Sequence, residues 1–155
     1  MSNNRGKKFE DVIKHCFERV DGVSVDRLRD AQKKLKGVDN PADFIVYKEP
    51  HEVYVECKSH TGNTLPFSCI REEQLVGMSN KAKIKGVKAG IILWYIDRDV
   101  TVWIPIAEVV RWKTSGAKSI NIKDLDSLIC IYIQGTKKRV YFDYDMKEFL
   151  EVLYE

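Results

Sequence analysis

The sequence predicts an α/β protein with a central mixed sheet flanked by helices. Two runs, 37–47 and 52–58, alternate apolar and polar residues and are rich in Val, Ile, Tyr and Phe, as half-buried strands are. A nearly continuous apolar run, Ala89 to Ile96, has the composition of a strand buried on both faces. Segments with the three-and-four spacing of amphipathic helices precede, separate and follow these strands. The order helix, strands, helix, strands, helix is that of a mixed α/β domain.

A chain of 155 residues is long enough for one domain with a proper core and too short for two comfortable ones, so residues 1–155 read as a single domain. Hydrophobic content of 44% and charged content of 32% fit a soluble globular protein. No apolar run approaches a membrane span and Met1 to Arg5 has no hydrophobic signal region, which predicts a cytoplasmic protein without a membrane partner. The net charge of +3 permits nucleic-acid binding without arguing for it, so a DNA surface must come from clustering. Cys16, Cys57, Cys69 and Cys130 form no C-x-x-C pair and sit among apolar residues, as reduced core cysteines do; zinc is not expected.

Taken in order, Gly6 to Val20 reads as a helix whose apolar face is Phe9, Val12, Ile13, Cys16, Phe17 and Val20. Glu10 flanks that face, where it can pair with Lys14 one turn on or lean toward a site beside the helix. Arg5, Lys7 and Lys8 open the helix, where cations oppose the helix dipole; contact with a phosphate is the other reading. Asp21 to Asn40 is polar, with Arg27, Arg29, Lys33, Lys34 and Lys36. It reads as a solvated loop with a short helical turn, or as a DNA-contacting segment.

Pro41 starts the first strand and Lys48-Glu49-Pro50-His51 reads as a tight hairpin. If Tyr47 faces Glu52, the antiparallel register sets Asp43 opposite Glu56, on one face of the sheet, with β-carbons about 5 Å apart. Lys58 shares that face, and Val53, Val55 and Cys57 form the other. Two carboxylates that close repel unless a proton or cation lies between them, and oxygen-only ligation with vacant positions suits Mg²⁺, or Mn²⁺ in its place. A lysine beside such an ion can orient a water or offset charge on a phosphate, so this is a metal-dependent phosphodiesterase site in outline. A salt bridge across a hairpin is the plainer reading.

Beyond it, Ser59 to Thr64 reads as a turn or mobile loop, and Leu65-Pro66-Phe67 as an edge segment. Arg71 to about Lys83 reads as a helix with Ile70, Leu75, Met78 and Ala82 inward, weakened by Gly77. Lys81, Lys83, Lys85 and Lys88 form the densest basic cluster, a solvated face or a phosphate track. Thr101 to Ile104 should pair with 89–96 across an Asp97-Arg98-Asp99 turn, and Pro105 should open a helix through Trp112. Lys113 to Ser119, including Lys118, fails the phosphate-loop pattern because lysine does not follow glycine directly. It reads as a basic loop, with no nucleotide cofactor implied. Ile129 to Ile133 and Val140 to Phe142 read as strands joined through 135–138, and Asp145 as the cap of a last helix with Phe149, Leu150 and Leu153 inward.

Asn40-Pro41-Ala42-Asp43, twelve intervening residues and Glu56-Cys57-Lys58 resemble the PD-(D/E)xK nuclease signature. Asn4-Arg5-Gly6, Phe9-Glu10, Asp43, Glu56-x-Lys58, Leu65-Pro66-Phe67, Gln74 and Lys118-Ser119-Ile120 look, in the same order, like RecU-type Holliday junction resolvases. That family carries a long stalk-like insertion where only about twenty residues, Asp21 to Asn40, stand here; the chain looks like a short form of the kind found in bacteriophages. The resemblance implies a restriction-endonuclease-like core and a Mg²⁺-dependent endonuclease that nicks four-way DNA junctions in pairs, leaving 5′-phosphate and 3′-hydroxyl ends. Asp43 and Glu56, with the Cys57 carbonyl, would hold the metal. Lys58 would position the attacking water, with Glu10 and Gln74 as accessory groups. Arg5, Lys7, Arg27, Arg29, Lys81, Lys83, Lys85 and Lys118 are the candidate DNA contacts. Junction symmetry implies a homodimer, with Trp94, Trp103 and Trp112 as interface candidates. The alternatives are a repair or restriction-type DNase acting on duplex, flap or damaged DNA, and a DNA-binding module without cleavage.

Overall fold

The structure is a computed structural model that describes residues 2–28 and 40–155. In chain order its elements are α1 (Ser2–Glu18), β1 (Ser24–Arg27), β2 (Phe44–Lys48), β3 (His51–His60), β4 (Thr64–Pro66), α2 (Glu72–Ala82), β5 (Val87–Tyr95), β6 (Val100–Pro105), α3 (Ile106–Thr114), β7 (Ser119–Asn121), β8 (Ile131–Tyr132), β9 (Gly135–Lys137), β10 (Phe142–Tyr144) and α4 (Met146–Tyr154). A six-stranded sheet runs β1-β2-β3-β5-β6-β8. Only β3 and β5 are parallel; every other pair is antiparallel, so the sheet is mixed as predicted.

Strand alternation sorts the core into two apolar layers. On one face Tyr54, Ile91, Leu93, Tyr95, Val102 and Ile104 pack with Leu75 and Met78 of α2 and Val109 of α3. On the other, Val53, Val55, Ile92, Trp94 and Trp103 pack with Phe9, Ile13 and Phe17 of α1 and Phe149 and Leu150 of α4. Trp94 and Trp103 are each 1% exposed, so they belong to the core and not to an interface; Trp112 is half-buried and donates its indole N–H to the Ser119 carbonyl. Gly90 makes room for this packing: a β-carbon there would lie 2.6 Å from the Ile104 carbonyl oxygen and 2.7 Å from the Trp103 ring.

The hairpin has the predicted register, with Tyr47 opposite Glu52 and Phe44 opposite Val55. Asp145 caps α4 by accepting from the Glu148 N–H at 3.0 Å. Three expectations are corrected. Part of the expected loop after α1 is an edge strand, β1, whose Ser-Val-Asp-Arg sequence carries one aliphatic residue and pairs with β2. Ser59 and His60 belong to β3, because their main chains continue the ladder with β5. Near the C-terminus the strand starts at Phe142, and 135–137, expected as a connection, is its partner. Arg29, Lys33, Lys34 and Lys36, and the expected helical turn there, lie outside the described residues. Among the described residues no helix is long and apolar enough to cross a membrane.

Candidate active site

Asp43 stands one residue before β2. Its N–H donates to the Val55 carbonyl at 3.0 Å and its carbonyl accepts from the Leu28 N–H at 2.8 Å, so the main chain is held from both neighbouring strands. Its carboxylate Oδ2 accepts from the Cys57 N–H at 2.8 Å. The paired register ends with Phe44 opposite Val55; Asp43 lies in the bend before it, near enough to Glu56 for the two charges to interact.

Glu56 is 4% exposed and lies under α2. Its Oε2 accepts from Gln74 Nε2 at 2.7 Å and lies 3.0 Å from Lys58 Nζ. Among the described residues its Oε1 is buried with no hydrogen-bond partner. Gln74 is oriented by its own helix: its Oε1 accepts from the Arg71 N–H at 3.3 Å, which turns its NH₂ toward Glu56. The sequence signal for that bond is a Gln three residues after a helix cap.

Two carboxylates with little water around them cannot both ionise cheaply. Burial first, and the charge of Glu56 second, push the Asp43 carboxyl up to about 8, while the Cys57 N–H bond and the Lys58 ammonium oppose the rise. Glu10 adds to it from α1, on the other face of the sheet. Lys14 pairs with Glu18 at 3.2 Å, and Arg27 Nε lies 3.4 Å from Glu10 Oε1. Arg27 Nη2 also donates to Asp11 at 2.5 Å, and the guanidinium lies over the Phe44 ring, 5.6 Å from its centroid. The Cys57 thiol points away from the carboxylates into the layer with Val53 and Val55, where burial holds it protonated well above the ordinary thiol range. Among the described residues, no three His, Cys, Asp or Glu side chains are grouped to hold a metal ion by themselves.

Asp43, Glu56, Lys58 and Gln74 therefore converge, with Glu10 reaching them from behind the sheet. The basic residues divide. Arg5 and Lys7 are exposed on the first turns of α1, ahead of Glu10. Lys118 is exposed beside β4, its carbonyl accepting from the Phe67 N–H at 3.0 Å. The Lys81 ammonium lies over the Tyr54 ring, 5.5 Å from its centroid, and Lys83 and Lys85 are exposed in the connection from α2 to β5. That connection meets the start of β3, where the Glu52 N–H donates to the Gly86 carbonyl. Lys58 lies six residues further on, about 20 Å along the strand at the usual rise. The loop after β3 is tied down: the Gly62 N–H donates to Asp97 at 2.6 Å and Arg98 Nε donates to Asn63 at 2.8 Å.

No protein-family model matches this chain, and no curated protein matches it. Among solved structures it is similar to Hjc, a Holliday junction resolvase from the archaeal hyperthermophile Archaeoglobus fulgidus, with 19% sequence identity over 66% of this chain and 78% of that one and a TM-score of 0.48.

Proposed function

We propose that the chain is a metal-dependent DNA endonuclease of restriction-endonuclease-like architecture that resolves Holliday junctions. The observation that carries this reading is the approach of two carboxylates at the start of the hairpin: Asp43, pushed up to about 8 by burial and by the charge of Glu56, and Glu56, buried with one oxygen that has no partner among the described residues. A divalent cation resolves both, and two hard oxygen donors suit Mg²⁺ or Mn²⁺. Asp43 and Glu56 would hold it, with the Cys57 carbonyl as the third protein oxygen. In an extended strand a residue's C=O points the same way as its N–H, here toward Asp43. The bound cation supplies a more acidic water and charge stabilisation for the phosphate undergoing substitution.

The protein's own groups do the rest. Gln74 fixes Glu56 by binding Oε2, leaving Oε1 for other use. Lys58 is held by the same carboxylate at 3.0 Å, where it can orient the attacking water and offset charge on the phosphate. The choice of a four-way junction rests on the order of motifs shared with RecU-type resolvases. Products carry 5′-phosphate and 3′-hydroxyl ends.

The test is incubation with Mg²⁺ and a panel of junction, flap, nicked and linear DNAs. The expected result is paired nicks in the junction and little cleavage of linear DNA; equal cutting of all four indicates a general DNase. Asp43→Asn and Glu56→Gln should each abolish cleavage while DNA binding persists, because a metal ligand carries chemistry and not phosphate contact. Full Mg²⁺-dependent activity in either variant overturns the reading.

A further inference from the structure

We infer that Gly77 is a positioning residue of the active site: the absence of a side chain there seats α2 against Pro41 while Gln74 of the same helix holds Glu56. The part that concerns activity rests on the nuclease reading above.

Gly77 lies inside α2, where glycine is intrinsically poorer than alanine. Space accounts for it. A β-carbon at 77 would lie 2.8 Å from Pro41 Cβ and 3.5 Å from Pro41 Cα. Non-bonded carbons prefer about 3.5–4.0 Å, so the first of these is a hard overlap. The Pro41 ring is tied to its own backbone and has no free rotamer, so it can give way only if the segment carrying it moves. The residue after it, Ala42, is 4% exposed and packs in the same layer as Leu75 and Met78 of α2. Asp43 follows, held by hydrogen bonds to Val55, Leu28 and Cys57.

Gln74 and Gly77 are three apart and so share one face of the helix. Through the first, α2 grips Glu56 at 2.7 Å; through the second, it rests on the segment that delivers Asp43. The helix is thus the spacer between the two carboxylates. A methyl group at 77 has two ways out. Either α2 lifts, drawing Gln74 from Glu56, or Pro41 retreats, drawing Asp43 from the Cys57 N–H. Both change the separation of the pair.

The experiment is a double-mutant cycle on the full chain: wild type, Gly77→Ala, Pro41→Gly, and the two combined, with Pro41→Gly removing the atom that the new methyl would strike. Misplacement on the ångström scale costs up to about a hundredfold in rate, so Gly77→Ala should lower kcat on a junction by tenfold or more, with KM and DNA affinity unchanged. In the Pro41→Gly background the same substitution should cost less than about threefold. Tm provides a second readout. Gly77→Ala should lower it in the wild-type background despite alanine's better helix propensity, and raise it by a few degrees once Pro41 is glycine. If Gly77→Ala does not fold, a folded double variant matching Pro41→Gly supports the inference, and one as impaired as Gly77→Ala overturns it. Unchanged kcat and a higher Tm for Gly77→Ala alone also overturn it. A wild-type protein that cuts no DNA defeats the nuclease reading separately, and the Tm cycle then decides whether Gly77 seats on Pro41.

Discussion

Lys58 lies 3.0 Å from Glu56 Oε2 with 20% of its side chain exposed. As an ion pair it sits against a carboxylate that is 5% exposed, so its loss leaves a largely buried charge without a counter-charge and lowers stability. As a charge aimed at a developing anion it contributes a few kcal/mol to the rate, and each 1.4 kcal/mol or so is tenfold. Lys58→Ala should reduce junction cleavage by about a hundredfold or more, as single-turnover cleavage by the folded variant would show. A loss below about fivefold would leave Lys58 a salt-bridge residue. At this scale, Asp43, Glu56 and Lys58 were legible in the sequence because a two-residue turn fixes the register of a hairpin. Arg27 was not. Its charge shows in the sequence but its partners do not: Glu10 and Asp11 lie on the preceding helix and meet it only once β1 has joined the sheet edge. Gly77 was legible only as a weakness of its helix, because the proline that explains it is distant in the chain.

Elements with strong periodicity were legible for the same local reason. α1, α2, β5 and α4 bury faces that the sequence marks with regular spacing, whereas β1 and β9 owe their strand geometry to neighbours. The segment after the 3₁₀ helix Ile122–Ser127 is held in this second way, by Glu108 of α3. Glu108 is 7% exposed and its carboxylate accepts from Arg111 Nε at 2.7 Å, Arg111 Nη2 at 3.0 Å and the Ile129 N–H at 2.7 Å. The Arg111 bonds foremost, and the Ile129 N–H after them, hold its carboxyl below the ordinary value of 4.5, against the opposing effect of burial. The folded protein therefore binds this proton less tightly than the unfolded chain. The stabilisation is complete above pH 4.5 and is lost as pH falls through the lower folded value. Glu108→Gln should cost about 1–3 kcal/mol at pH 7, the scale of hydrogen bonds to a charged group, and the gap to wild type should narrow on acidification below the ordinary carboxylate value. Urea unfolding at a series of pH values measures this. A gap that is constant with pH would mean that shape, not charge, holds the segment.

The whole molecule offers one copy of the Asp43, Glu56 and Lys58 constellation, and a four-way junction needs two opposed nicks. A two-fold homodimer with both sites on one side matches the near two-fold symmetry of the substrate. Its interface cannot be built on Trp94 or Trp103, which the core consumes; the large apolar residues left for it include Ile129, 73% exposed, and Tyr132, 48% exposed, at the β8 edge of the sheet. The separation of the basic residues bears on the same question. Lys83 and Lys85 flank the start of β3, about 20 Å of strand away from Lys58, too far to touch the phosphate being cut but within reach of a duplex arm leading away from it. If they track that arm, removing both should weaken junction binding and flatten its salt dependence by about 0.9 per lost phosphate contact, without lowering kcat at saturation. Light scattering at micromolar concentration should give twice the chain mass, and titration should give two chains per junction. A protein that remains monomeric alone and on the junction, and cuts linear DNA equally well, would replace the resolvase reading with that of a general DNase.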